Sequence, residues 1–73
     1  MNTNKYKYEV IIYWSDEDKV FIAEVPELSG CIAHGDTAEQ ALKEVNVVVD
    51  AWMEIAKENN WEIPAPKGRL MYA

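Results

Sequence analysis

Glu9 and Glu24 are the carboxylates that fall inside the apolar, β-branched stretches of this chain. Carboxylates on neighbouring strands are how two-metal hydrolases hold their ions. Such a site needs a third or fourth carboxylate beside the first two. Alternation along the strands gives these two no such companions, so they read as solvent-facing strand residues. His34 is the single histidine, with Asp36 nearby but no serine or cysteine at a spacing that would make a nucleophile and base. Cys31 is the single cysteine, set between Gly30 and Ile32 with nothing cationic beside it to form a thiolate, and reads as a buried, inert thiol. Asp16-Glu17-Asp18 has the look of a calcium-loop fragment. It lacks the length of such a loop and the glutamate that closes it. Tyr6, Tyr8, Tyr13, Trp14 and Phe21 could stack nucleic-acid bases, but Arg69 is the single arginine. Core or subunit contact explains these aromatics better. No catalytic, cofactor-binding or metal-binding residues are therefore assigned. The chemistry that remains is binding.

The 73 residues carry 13 acidic and 7 basic side chains, a formal net charge of −6. Nucleic-acid binders usually show the opposite balance. An acidic surface serves solubility, and it also fits a basic protein partner. A chain of this length has room for one small domain, residues 1–73, and buries only about 60% of its unfolded surface. With one cysteine and no Cys/His cluster, neither a disulfide nor a structural zinc reinforces that domain. Oligomerisation is the remaining device, and a homodimer or tetramer is expected. No apolar run follows Met1 as in a signal peptide, and none approaches a membrane span. With a lone reduced thiol, this points to the cytoplasm.

The elements that must position these residues follow from periodicity. Tyr6 to Trp14 alternates as a strand, with Tyr6, Tyr8, Val10, Ile12 and Trp14 toward a core. Lys7, Glu9, Ile11 and Tyr13 take the opposite face, where Ile11 and Tyr13 are left without an apolar neighbour. Ser15 to Lys19 is a polar hairpin turn, and Val20 to Val25 a second strand with apolar residues of both parities. Cys31 to His34 is a third, antiparallel to the second. A helix is predicted from Ala38 to Asn59, with Ala38, Ala41, Leu42, Val45, Val49, Trp52, Ile55 and Ala56 as its apolar stripe. At roughly 33 Å it outruns the strands, so its last turns should overhang the sheet. Val47, Val48, Ala51 and Met53 lie off the stripe and are assigned to a contact between subunits. Asn59-Asn60 should end the helix, with Trp61 and Ile63 folding back on it, and Leu70 to Tyr72 could add a short last strand.

The junction Pro26-Glu27-Leu28-Ser29-Gly30 through Gly35-Asp36-Thr37 to Glu39-Gln40-Ala41 ties these pieces together. Pro26 stops a ladder. Gly30 and Gly35 permit backbone geometry closed to other residues. Asp36 and Thr37 are N-cap residues with Glu39 and Gln40 three positions on. In order and combination this resembles the signature of the HicB-like antitoxin family, over roughly Tyr8 to Pro66. Phe21 to Leu28 and Pro64-Ala65-Pro66 belong to the same likeness, while Ser29 stands where many members have a second proline.

The resemblance implies an α+β fold, β-β-β-α: a three-stranded antiparallel sheet packed on one long helix, a partial ribonuclease-H-like domain. It implies a non-enzyme that covers the active site of a HicA-like toxin, a small basic ribonuclease. Full-length members usually carry a C-terminal DNA-binding domain. None is expected in the few residues after Pro66, and so no direct DNA binding. Ile11, Tyr13, Asp16, Glu17 and Asp18 are the expected toxin contacts, from their exposed apolar and acidic character. The alternative is a homo-oligomeric HicB-like domain with a regulatory or structural role and no toxin.

Overall fold

The computed structural model describes residues 7–66. Its elements run β1 (Ile11–Ser15), β2 (Val20–Glu24), β3 (Ile32–Gly35) and α1 (Ala38–Asn59). The sheet order is β1-β2-β3 with both pairings antiparallel, and the single long helix follows it, as the α+β reading expects. The helix bounds match the periodicity, β1 and β2 are shorter than it implied, and β3 is shifted by one residue. β1 begins at Ile11, opposite Glu24 at the end of β2, and Lys7 upstream adopts φ 66° in the left-handed region. Tyr6 and Leu70 to Tyr72 lie outside the described residues.

Register settles the faces. Ile12 pairs with Ala23 and Trp14 with Phe21, which places the even residues of β1 on the helix side with Ala23 of the core. The alternation is therefore right, but the burial that it implied is not. Tyr8 is 2% exposed, whereas Ile12 is 36% and Trp14 48% exposed. The helix lies chiefly over β3 and β2 and leaves the helix side of β1 thinly covered. Trp14 packs its edge on Phe21, with ring centroids 5.1 Å apart.

The core gathers Ala23, Val25, Leu28, Val45, Val49 and Met53 around Tyr8, whose hydroxyl donates to the carbonyl of Pro64. Met53 corrects the sequence reading. Expected at a subunit contact, it is 3% exposed and packs within this chain's own core. Ile55, placed in the stripe, is 45% exposed, and Ala38 is exposed as well. The helix is rotated by a fraction of a turn from the face that the periodicity picked. In its C-terminal half, Trp52 donates to the Ser29 carbonyl at 3.0 Å and sits edge-on to Trp61.

The helix ends are closed by local chemistry. Thr37 is the N-cap, and its hydroxyl oxygen accepts the Gln40 N–H at 3.0 Å. Gln40 reaches back to accept the Asp36 N–H at 3.0 Å, one residue earlier than in the usual reciprocal pair. At the other end Asn60 takes φ 57°. The Trp61 N–H reaches the Ala56 carbonyl and the Asn60 N–H that of Lys57, a Schellman arrangement. Gly35 is needed for closeness: a Cβ there would stand 2.6 Å from the backbone nitrogen of Ala41. The end of β3 thus lies directly against the first turn of α1.

Candidate partner-binding face

The sheet has a second face, away from the helix, that no described element covers. Across it Ile11, Glu24 and Ile32 form one row and Tyr13, Ile22 and His34 the next. Val20 continues this face toward the hairpin opposite Ser15. Tyr13 is 43% and Ile32 48% exposed, while Ile11, Val20 and Ile22 are half-buried by their neighbours alone. The result is a flat apolar surface crossed by one carboxylate and one imidazole. Apolar side chains grouped on an open sheet face make it the candidate contact surface among the described residues.

The hairpin that closes β1 and β2 stands at one end of this face. Lys19, at φ 59°, donates its N–H to the Ser15 carbonyl at 2.7 Å and tightens the turn. Ser15 and Asp18 hydrogen-bond each other through side chain and backbone at 3.3 Å. Lys19 Nζ meets Asp16 Oδ1 at 3.0 Å in a solvent-exposed pair. Asp16, Glu17 and Asp18 are all exposed. Asp18 lines a shallow hollow together with Val20, Ile22 and His34, so the acidic turn and the apolar face form one continuous surface.

Of the toxin contacts expected from sequence, Ile11 and Tyr13 lie on this face and Asp18 lines the hollow at its end, while Asp16 and Glu17 are exposed in the same turn. Val20, Ile22 and Ile32 were missed. The signal for them was present in β2, whose apolar residues fall on both parities, as a strand packed on both sides requires. Of the residues assigned to a subunit contact, Val47 is 62% exposed and Ala51 is exposed, Val48 is half-buried against the core, and Met53 is internal.

The face carries no assembled reactive group. Glu9 and Glu24 are half-buried without a third carboxylate nearby, and among the described residues no three His, Cys, Asp or Glu side chains gather as a metal site. His34 is exposed at the strand end. Cys31 is 2% exposed, and burial pushes its thiol pKa up, away from nucleophile chemistry. Among the described residues no helix is long and apolar enough to cross a membrane.

A family model described as the HicB_like antitoxin of bacterial toxin-antitoxin system matches residues 8–70, nearly the whole chain. This protein belongs to the HicB-like antitoxin family. Its curated relatives are small proteins of similar length. UPF0150 protein ssl0259 of Synechocystis is 41% identical over 63 residues, covering 86% of this chain and 85% of that one. UPF0150 protein Ta0767 of Thermoplasma acidophilum is 40% identical over 58 residues, 80% and 83% of the two chains. A second Synechocystis protein, UPF0150 protein ssr1258, is 33% identical over 51 residues, 70% and 72%. No solved structure matches significantly. An antitoxin family implies a toxin partner in general and suggests a protein that acts by binding instead of by catalysis.

Proposed function

We propose that this HicB-like chain is a non-catalytic antitoxin, acting in the cytoplasm, that binds a small basic HicA-like ribonuclease and occludes its RNA site. One observation carries the reading: the uncovered apolar sheet face runs without a break into the acidic hairpin, through Asp18 beside Val20 and Ile22. Apolar area buried there would supply affinity at about 25 cal/mol per Å² before association costs. The hairpin carboxylates would supply what area cannot: attraction of a basic partner at long range, and orientation at contact. A toxin that binds RNA must present cationic surface, and a chain of net charge −6 competes for that surface directly.

The test is co-expression with a small basic HicA-like protein, one encoded in an adjacent reading frame of the same genome being the first candidate, read by co-purification and by growth. A stable complex with rescue from growth arrest supports the reading. No complex and no toxicity would leave the alternative, a homo-oligomeric domain with a regulatory or structural role.

A further inference from the structure

Glu24 closes the central strand β2 at the end away from the hairpin, and on the open face it lies between Ile11 of β1 and Ile32 of β3. A carboxylate between two isoleucines is a poor cross-strand neighbour for both. Glu24 is half-buried, while Ile32 beside it is 48% exposed. Glu24, Pro26, Ser29, Gly30 and Ile32 also line a hollow where the chain leaves β2 for the turn. Backbone hydrogen bonds among Val25, Leu28 and Cys31 hold that turn, and Trp52 anchors it at Ser29, so the wall of the hollow is preformed. Among the described residues no cation meets the Glu24 carboxylate.

We infer that Glu24 and this hollow receive one arginine side chain of the partner protein, and that this pair sets where the partner sits on the face. The inference rests on the antitoxin reading and names the chemistry of its contact. Any partner that covers Ile11, Ile22 and Ile32 also takes the Glu24 carboxylate out of water. A charge desolvated without a counter-charge opposes binding strongly. The covering surface must therefore bring a cation to that point. Arginine suits it best. Its planar fork meets both carboxylate oxygens, its guanidinium is weakly hydrated, and its methylene stem can lie along Ile32.

Position gives this carboxylate a role that the hairpin lacks. Asp16, Glu17 and Asp18 are exposed, so salt and water screen any pair made there. Glu24 stands four residues from Val20 along β2, about 14 Å at the rise of a strand. The fitting partner therefore carries one cationic region for the hairpin and a separate arginine toward the other end of the face. A basic surface without that arginine leaves Glu24 covered and unpaired. The hairpin attracts basic proteins in general, and Glu24 selects among them.

The test pairs the full chain with a HicA-like ribonuclease. Glu24→Gln keeps the shape and removes the charge. It should speed dissociation about thirtyfold or more, because the partner's cation is left without its counter-charge. The loss should persist at high salt, unlike that of the hairpin variants. A double-mutant cycle against the toxin's arginines should couple Glu24 to one of them. Glu24→Val should raise the urea midpoint of the free chain and weaken the complex, since it makes the row from Ile11 to Ile32 wholly apolar. Unchanged dissociation of Glu24→Gln, from a complex that the unaltered chain forms, overturns the inference and leaves the antitoxin reading standing. So does a lower midpoint for Glu24→Val, which makes the carboxylate part of the fold. Coupling of Glu24 to Lys5, Lys67 or Arg69 in place of a toxin arginine also overturns it, because the cation is then this chain's own. Failure of the unaltered chain to bind a HicA-like ribonuclease strikes the reading, and the inference with it.

Discussion

The indole N–H of Trp52 donates to the backbone carbonyl of Ser29 at 3.0 Å, fastening the helix to a turn 23 residues earlier in the chain. The same ring packs edge-on against Trp61, with centroids 5.9 Å apart. Trp52 thus links three segments: the β2–β3 turn, the helix and the chain that follows it. Trp52→Phe keeps an aromatic ring and removes the donor. We expect a loss of about 1 kcal/mol, the net worth of one hydrogen bond. Urea unfolding should show a lower midpoint at unchanged slope.

Gly30 and Gly35 should respond to alanine for different reasons. At Gly35 the new methyl would stand 2.6 Å from the Ala41 nitrogen and 2.9 Å from the Gln40 carbonyl carbon, backbone atoms that cannot swing aside. Gly35→Ala should cost about 1–3 kcal/mol, as overpacking does. Gly30 takes φ 76° with open space around it, so Gly30→Ala meets only left-handed backbone strain of about 1–2 kcal/mol. Thermal unfolding of both variants checks the values. Adding a compensating small residue next to the helix start could rescue neither, because both obstacles are backbone.

Cys31 gives stability a pH dependence of known sign. Burial raises its pKa in the folded chain, so the folded state holds the thiol proton more tightly than the unfolded one. The contribution is complete below the unfolded thiol's pKa and is lost as pH rises through the folded value. Stability should therefore decline on the alkaline side, and Cys31→Ala should lack that component of the decline. Denaturant midpoints of both chains across the alkaline range measure it. A flat difference between the two chains would show that the buried thiol does not titrate there.

Charge and apolar contacts of the proposed toxin interface should separate kinetically. Neutralising the hairpin with Asp16→Asn, Glu17→Gln and Asp18→Asn should slow association about tenfold or more at low salt, with the difference fading as salt is added. Dissociation should change little. Tyr13→Ala should do the reverse, speeding dissociation, because it removes buried area from the middle of the face. Surface plasmon resonance against the toxin at two ionic strengths distinguishes the two patterns.

Much of the fold was legible because its determinants are local. Helix α1 begins and ends where Thr37, Gln40 and Asn60 can satisfy orphan backbone groups, and those side chains are chosen within a few residues of each end. Antiparallel pairing of β1 with β2 follows from a short polar turn between two apolar runs. The family was legible at the same junctions, in the turn from Pro26 to Gly30 and the start of α1. Side-chain burial was less legible. Met53 is internal and Ile55 exposed because the angle at which the helix meets the sheet, not its period, decides which edge of the apolar stripe is covered.

By itself, then, the sequence determined what depends on short-range chemistry: the element order, the helix caps, the acidic hairpin and the alternation that sends Ile11 and Tyr13 away from the helix. The tertiary structure alone decided which surfaces stay uncovered. The helix lies over β3 and β2, its first turn held close to Gly35 at Ala41, and among the described residues it leaves β1 thinly covered. That placement is a long-range packing outcome, invisible in any window of a few residues. It exposes Ile12 and Trp14 on one face of β1, and it joins Tyr13, Ile22 and Ile32 into a surface on the other.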